Sequence, residues 1–310
     1  MILDPGTRIS TGPLALSCFA GYMFSRRSFI AMSTLALPEF LHATAKGFSE
    51  LPAAFATLER ANGGRLGIAV RDIATGEGTG YRADERFPMC STFKLLLASA
   101  ILQRVDRHQE TLNAIISIPL KPLLFNSPLT EPHAGGTMTI GELCHAALTR
   151  SDNTAANLLL ERVGGPAGIT NFSRSIGDAV TRLDRTETSL NEALVGDPRD
   201  TTSPTAMADD LQSVLLRHVL SPASREQLTQ WMESNLTGLD RLRANLPQGW
   251  RAADKTGSNG NDTSNNIAVL WPPGRPPIII TAYVTQCTGP ESKRGALLKE
   301  IGRLVRDSLS

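Results

Sequence analysis

A serine and a lysine stand three residues apart, Ser91 and Lys94, at the start of an apolar stretch that ends near residue 102. If this stretch is a helix, the lysine amine lies over the serine hydroxyl, close to the free N–H groups of the helix N-terminus. A desolvated lysine of lowered pKa can take the proton that makes a serine nucleophilic. Taken alone, the pair is better explained as the polar start of a helix, because about one such spacing is expected by chance.

Three further groups of polar residues follow this pair along the chain. They are a Ser-Asp-Asn triplet, a glutamate four residues before an asparagine, and a Lys-Thr-Gly-Ser segment: Ser151 to Asn153, Glu187 with Asn191, and Lys255 to Ser258. Separately, the triplet could be a loop that caps a helix, and the glutamate could be a solvated surface acid. Their occurrence in this order favours one shared catalytic site.

The motif order, the spacings and the segment around Glu187 resemble the class A serine β-lactamases, whose signature set is Ser-Xaa-Xaa-Lys, Ser-Asp-Asn and Lys-Thr-Gly. The resemblance covers nearly the whole chain after residue 45. It implies hydrolysis of the β-lactam amide bond of penicillins and some cephalosporins through a serine acyl-enzyme, and hence resistance to these antibiotics. It implies no metal and no cofactor.

The resemblance assigns a role in the first chemical step to several residues. Ser91 would attack the lactam carbonyl, and the backbone N–H groups of Ser91 and Ser258 would hold the oxyanion. Ser151 would pass a proton to the departing nitrogen, assisted by Lys94 and Lys255. Which base activates the serine in this step, the lysine or the glutamate through a water, stays open.

Release of the acyl group needs a water molecule. Glu187 and Asn191 can hold and deprotonate one water beside the ester, and the resemblance makes the glutamate the base of this step. Arg185 and Asp200 bracket the same segment, and an ion pair between them would close residues 185–200 as an Ω-loop. Two unpaired surface charges are the alternative for these residues.

The carboxylate of a β-lactam can be met by Lys255, Thr256 and Ser258, which offer one positive charge and two hydroxyl groups. Arg241 matches the position that supplies a further cation in part of the family. Arg243 lies two residues away, and the spacing alone does not choose between the two arginines.

The substrate side chain is expected to meet two asparagines. By resemblance, Asn153 would hydrogen-bond the amide of that side chain. Asn126 falls where many relatives carry an aromatic residue at the rim of the cleft, so we expect weaker stacking on the substrate.

Two other functions use the same serine chemistry. A penicillin-binding DD-peptidase acts on cell-wall peptides and releases β-lactams very slowly, and the presence of Glu187 with Asn191 argues against it. A sensor that is acylated once should carry a membrane span or a partner domain, and the sequence indicates neither.

The elements that must position these groups are indicated by the hydrophobic periodicity. A helix followed by two short strands opens the body of the chain, and strand-like runs with a final helix close it. Between them lie capped helical patterns without a strand pair, with caps such as Thr139 and Ser203. We therefore predict an α/β fold, in which an antiparallel sheet of about five strands is built from residues 46–89 and 234–310. An all-helical domain, residues 90–233, is inserted, with the site in the cleft between them.

Composition excludes several partner classes. The formal net charge of +1 and the absence of Lys/Arg runs in the body of the chain give no reason to expect a nucleic acid or an anionic membrane. The histidines and cysteines show no metal-ligand spacing. We expect Cys90, Cys144 and Cys287 to be free buried thiols, and the protein to be a monomer.

The N-terminal residues 1–45 are typical of an export signal. Arg26 and Arg27 precede an apolar stretch and the small-residue cleavage pattern that ends at Ala45. The paired arginines resemble the twin-arginine type, which predicts removal of the segment and a periplasmic location without a stable membrane anchor. The alternative is a surface arginine pair before an ordinary helix.

Overall fold

The computed structural model describes residues 47–309, so the predicted export signal, residues 1–45, lies outside the described residues. The helices are α1 (Leu51–Asn62), α2 (Lys94–Asp106), α3 (Ile140–Thr149), α4 (Asn153–Val163), α5 (Gly165–Ser175), α6 (Pro204–Leu215), α7 (Pro222–Glu233) and α8 (Glu291–Asp307). The strands are β1 (Arg65–Asp72), β2 (Gly78–Tyr81), β3 (Phe87–Pro88), β4 (Ile115–Ser117), β5 (Thr137–Thr139), β6 (Thr201–Thr202), β7 (Arg251–Ser258), β8 (Ser264–Trp271) and β9 (Ile278–Thr285).

The main sheet has five antiparallel strands in the order β2-β1-β9-β8-β7. Its strands come from both ends of the chain, because β9 pairs with β1 along the full length of both strands, from Arg65 opposite Thr285 to Asp72 opposite Ile278. This confirms the predicted sheet of about five strands.

Alternate residues of the central strands point to opposite faces of the sheet, and each face has its own apolar core. On one face, Ile278 and Ile280 of β9 pack with the apolar sides of α1 and α8. On the other face, Ile279 packs with the helices that lie between the two halves of the sheet. The terminal helices therefore cover one face of the sheet, and helices α2 to α7 cover the other.

Helix α2 is the central element of this second core. Every residue from Lys94 to Leu102 is buried, so the helix is surrounded by protein on all sides at its N-terminal end. Capping supports its neighbours as predicted, since Thr139 and Glu142 form a reciprocal capping box on α3 and Ser203 caps α6.

The prediction of an all-helical insertion without a strand pair is wrong in detail. Strand β4 pairs with β5 inside it, and β6 pairs with β3, which precedes it. These strands have two or three residues each, too few for the alternation that marks a strand in a sequence. The division of the described chain into two domains stays a prediction.

Candidate active site

Ser91 lies in a short 3-10 turn, Cys90–Phe93, directly before α2. Strand β7 passes close to this turn, because a Cβ added to Gly257 would lie 3.2 Å from the backbone nitrogen of Ser91 and 2.7 Å from the oxygen of Met89. The side chain of Asn265 on β8 donates hydrogen bonds to backbone oxygens at the start of the turn, including that of Met89 at 3.0 Å. The sheet therefore fixes the position of the serine.

Lys94 is completely buried and its Nζ is surrounded by oxygen atoms. It donates to Ser91 Oγ at 3.1 Å, to Asn153 Oδ1 at 2.7 Å and to the backbone oxygen of Ser151 at 2.8 Å, and it lies 2.9 Å from Glu187 Oε1. Burial lowers the pKa of Lys94, and the negative charge of Glu187 opposes that effect. The side chain is thus placed to exchange a proton with the serine.

A second buried lysine approaches from the sheet. Lys255 Nζ donates to Ser151 Oγ at 3.1 Å and to the backbone oxygen of Thr256 at 2.8 Å. Burial, and after it the charge of Lys94, holds the pKa of Lys255 well below its usual value. The Ser151 hydroxyl therefore lies between two lysines, Lys94 at 3.4 Å and Lys255.

Asp152, the middle residue of the triplet, holds the loop that carries its neighbours. It caps α4 by accepting from the backbone nitrogen of Ala155 at 2.9 Å, and it accepts from the backbone nitrogens of Leu129 and Thr130 at the same distance. Ser151 itself has a left-handed backbone with φ of 57°. The triplet is therefore more than a helix cap, since its outer residues both contact Lys94.

Glu187 is held at both its side chain and its backbone. Asn191 Nδ2 donates to Glu187 Oε2 at 2.7 Å, and Ser91 Oγ donates to Oε1 at 3.2 Å. Asn157 binds the backbone of Glu187 through two hydrogen bonds of 2.8 and 2.9 Å. Asn157 was not among the residues predicted from the sequence, although it lies four residues after Asn153 and so on the same face of α4.

The predicted ion pair between Arg185 and Asp200 is present in the structure. Arg185 Nε donates to Asp200 Oδ2 at 2.6 Å, and Asp200 Oδ1 accepts from the backbone nitrogens of Asp184 and Arg185 at 2.8 and 2.9 Å. Asp200 is 1% exposed, so the alternative of two unpaired surface charges is wrong. This contact joins the two ends of the loop that carries Glu187.

The two candidate arginines have different places. Arg241 lines the cleft, where its Nη1 donates to the backbone oxygen of Asn265 at 3.1 Å and its Nη2 lies 2.8 Å from Glu291 Oε1. Arg243 instead donates to the carboxylate of Asp254 at 3.1 Å, and Asp254 is completely buried. Of the two arginines, Arg241 is therefore the one that lines the cleft.

The cleft has a volume of about 630 Å³ and is bordered by the turn with Ser91, the Ω-loop and the edge of β7. Ten of the predicted site residues lie in or directly behind it: Ser91, Lys94, Ser151, Asn153, Glu187, Asn191, Arg241, Lys255, Thr256 and Ser258. The chain segments that carry them are far apart in sequence, and the fold brings all of them together.

An exposed aromatic ring stands at the rim of this cleft. Phe125 lines the cleft and is 87% exposed, directly beside Asn126, which has a left-handed backbone with φ of 58°. Asn126 turns inwards and donates from Nδ2 to the backbone oxygen of Ser151 at 3.0 Å. The rim therefore carries an aromatic residue at the preceding position, and the weaker stacking expected from Asn126 stays a prediction.

Three further features of the described residues bear on the kind of site. Within residues 47–309, no cluster of three or more His, Cys, Asp or Glu side chains could hold a metal ion. None of the helices described in this range is both long and apolar enough to cross a membrane. Cys90, Cys144 and Cys287 are buried and free, which confirms that expectation.

The chain is similar to known proteins over most of its length. A model described as the β-lactamase enzyme family matches residues 50–309. β-Lactamase L2 of Stenotrophomonas maltophilia is 46% identical over 298 residues, 91% of this chain and 98% of that protein. β-Lactamase CTX-M-8 of Citrobacter amalonaticus is 46% identical over 252 residues, 81% of this chain and 87% of that protein.

Solved structures agree with the fold. An ancestral class A β-lactamase is 57% identical with a TM-score of 0.82, covering 83% of this chain and 99% of its own. A β-lactamase from Xanthomonas campestris is 48% identical with a TM-score of 0.83, covering 86% of this chain and 100% of its own. The resemblance inferred from the motifs is confirmed, and the chain belongs to the β-lactamase enzyme family, as a serine β-lactamase of class A.

Proposed function

We propose that this protein hydrolyses penicillins and some cephalosporins through an acyl-enzyme on Ser91, and so gives its host resistance to them. One observation carries the proposal. Ser91 Oγ lies 3.1 Å from Lys94 Nζ and 3.2 Å from Glu187 Oε1. The nucleophile thus has one neighbour suited to its activation and another suited to the release of its ester.

In the first step, Ser91 Oγ forms a bond to the lactam carbonyl carbon and gives its proton to Lys94, or through a water to Glu187. The resulting oxyanion is held by the backbone N–H groups of Ser91 and Ser258. The carbon–nitrogen bond of the ring then breaks, and Ser151 gives its proton to the departing nitrogen. The ammonium groups beside Ser151 Oγ replace that proton and stabilise the transfer.

Recognition of the substrate uses its two polar ends. Thr256, Ser258 and Arg241 line one wall of the cleft, in front of Lys255, and together offer hydroxyl donors and positive charge to a carboxylate. Asn153 lies on the opposite side, with Oδ1 fixed by Lys94 and Nδ2 donating to the oxygen of Phe125 at 2.8 Å. Its amide group therefore has a fixed orientation for the side-chain amide of a β-lactam.

In the second step, a water attacks the ester carbon and Glu187 takes its proton, after which Ser91 recovers its own proton and leaves as the free hydroxyl. Asn191 donates to Glu187 through Nδ2, while its buried Oδ1 accepts no hydrogen bond from the described residues. That oxygen is free to accept from the attacking water. The same pair argues for a hydrolase over a DD-peptidase or an acylated sensor, in which release is slow.

We also propose that the protein acts as a monomer in the periplasm after export by the twin-arginine pathway. The support is in the sequence, where Arg26 and Arg27 precede an apolar stretch and a small-residue cleavage pattern. Free buried cysteines are consistent with folding in a reducing compartment before export.

The decisive experiment follows intact protein mass and product together after mixing the purified protein with excess benzylpenicillin. Rapid product with a short-lived adduct is the expected result, and in Glu187→Ala the adduct should persist. Glu161→Ala is the matched control, because Glu161 is an exposed glutamate on α4 outside the cleft. A lasting adduct on the unmodified protein would favour the peptidase or sensor. The absence of both adduct and product would contradict the role of Ser91.

A further inference from the structure

The arginine that faces a substrate carboxylate already has a carboxylate partner in the protein. Arg241 Nη2 lies 2.8 Å from Glu291 Oε1, and both residues line the cleft beside Thr256 and Ser258. An anionic group that enters this part of the cleft must therefore share Arg241 with Glu291 or displace it. Two carboxylates on one guanidinium repel each other.

The side chain of Arg241 is more tightly constrained by the protein than the side chain of Glu291. The side chain of Arg241 is 10% exposed and is fixed from behind by the backbone oxygen of Asn265, whereas the side chain of Glu291 is 49% exposed. Glu291 is the first residue of α8, where the N-terminus of a long helix favours a negative charge. The carboxylate is therefore stable at this position, and it can turn towards solvent while the arginine stays in place.

Among the charged side chains that line the cleft, Glu291 is the acid on the wall formed by β7. The other lining acid, Glu192, contacts Arg185 on the opposite side, within the Ω-loop. The charge beside a carboxylate bound at this wall is thus set by Arg241 and Glu291 at the surface of the cleft and by the buried Lys255 behind them. Glu291 offsets the positive charge of Arg241 at this wall, and the carboxylate is the more exposed member of the pair.

We propose that Glu291 is a specificity-determining residue that selects β-lactams by the charge next to their carboxylate. This inference rests on the proposed function. In a cephalosporin, the substituent on carbon 3 is bonded to the ring atom next to the one that bears the carboxylate. When Arg241 binds the carboxylate, that substituent comes close to Glu291, which lies 2.8 Å from the same guanidinium. A cationic substituent is then favoured over a neutral or anionic one.

The test uses two cephalosporins that share one thienylacetyl side chain and differ at carbon 3 alone. One carries a neutral acetoxymethyl group (cephalothin) and the other a pyridiniummethyl group (cephaloridine). We expect the ratio of their kcat/KM values, pyridinium over acetoxy, to fall about fivefold in Glu291→Gln, the upper range for a half-exposed ion pair, and mainly through KM. At 1 M salt the difference between wild type and variant should shrink.

Glu300→Gln is the matched control. It removes the same charge from the same helix, roughly 13 Å further along the axis, where Glu300 pairs with Arg303. The ratio should stay at the wild-type value in this variant.

An unchanged substrate ratio in Glu291→Gln would overturn the proposal. If the activity on both compounds fell by the same factor, Glu291 would be a simple support for Arg241. A wild-type protein that forms no product from either compound would contradict the proposed function instead. In that case the dissociation constants of the two compounds are measured instead. The preference for the pyridinium compound should again fall in Glu291→Gln and stay at the wild-type value in Glu300→Gln. An unchanged preference in Glu291→Gln overturns the inference.

Discussion

The Nζ atom of Lys94 lies 2.9 Å from Oε1 of Glu187, and neither side chain is exposed to solvent. Ser91 Oγ contacts both groups. Burial lowers the pKa of Lys94, so that its amine can exist without a proton in a site where the carboxylate stays close by. The proton of the nucleophile therefore has an acceptor on either side, and each acceptor can be removed separately by mutation.

Replacing Lys94 by alanine should lower the acylation rate about 10²- to 10⁴-fold, the range that a positioned proton-transfer group contributes. Lys94→Arg is the informative comparison, because a guanidinium keeps the charge but does not release its proton. We expect this variant to remain as slow as the alanine variant in stopped-flow acylation by benzylpenicillin. Recovery of more than a tenth of the wild-type rate in Lys94→Arg would show that charge alone is needed.

Loss of Arg185 should affect deacylation more than acylation, because the pair of Arg185 and Asp200 joins the ends of the loop that carries Glu187. Arg185→Ala leaves a buried carboxylate with its backbone donors alone, which should reduce the free energy of unfolding by about 1 to 3 kcal/mol. Deacylation should slow about 10- to 100-fold through misplacement of the base.

Arg199→Ala controls for the removal of a loop arginine, since Arg199 is exposed and pairs with Asp197 on the same loop. Thermal unfolding and single-turnover kinetics of both variants separate the two effects. Equal slowing of acylation and deacylation in Arg185→Ala would contradict a role confined to Glu187.

The sequence was sufficient for the types and the order of the catalytic groups, because these follow from local motifs. It was also sufficient for the sheet, since the continuous apolar runs of β8 and β9 and the apolar face of α8 are long patterns. Strands β4 and β5 were missed because three residues cannot display a period of two.

Contacts between distant segments could not be predicted from spacing. Glu291 meets Arg241 across 50 residues, because the first turn of α8 lies beside the edge of β7. Phe125 reaches the rim because Asn126 adopts a left-handed backbone that turns its own side chain inwards. Asparagine adopts this conformation more readily than most residues, which is the one local signal available in the sequence.

Phe125 should stack on the aromatic side chain of a penicillin. Phe125→Ala is expected to raise KM for benzylpenicillin about 2- to 10-fold, the value of one aromatic contact, with kcat little changed. The core compound 6-aminopenicillanic acid lacks that side chain, so its KM should not respond. Leu120→Ala is the control, because Leu120 is 76% exposed and does not line the cleft. Equal changes for both substrates would exclude stacking as the cause.

Asp210 on α6 gives a prediction that concerns stability. It is 1% exposed, and its Oδ2 accepts no hydrogen bond within residues 47–309. Burial raises the pKa of Asp210 well above its usual value, with Asp178 and Asp209 adding to the rise and Arg174 opposing it. The folded protein is therefore expected to keep a proton here above the pH, about 3.9, at which the unfolded chain releases it.

Because the folded-state pKa is the higher one, the stability that this proton gives is fully present below the unfolded pKa and is lost as the pH rises through the folded pKa. The loss approaches about 1.4 kcal/mol per pH unit for one proton. Asp210→Asn has no proton to lose, so its urea midpoint should fall less than that of the wild type between pH 5 and pH 9. Asp209→Asn, which alters the neighbouring exposed residue that pairs with Arg71, should follow the wild type closely. If the urea midpoints of Asp210→Asn and wild type changed equally with pH across this range, Asp210 would be charged in the folded protein throughout. The prediction of a buried proton on Asp210 would then be wrong.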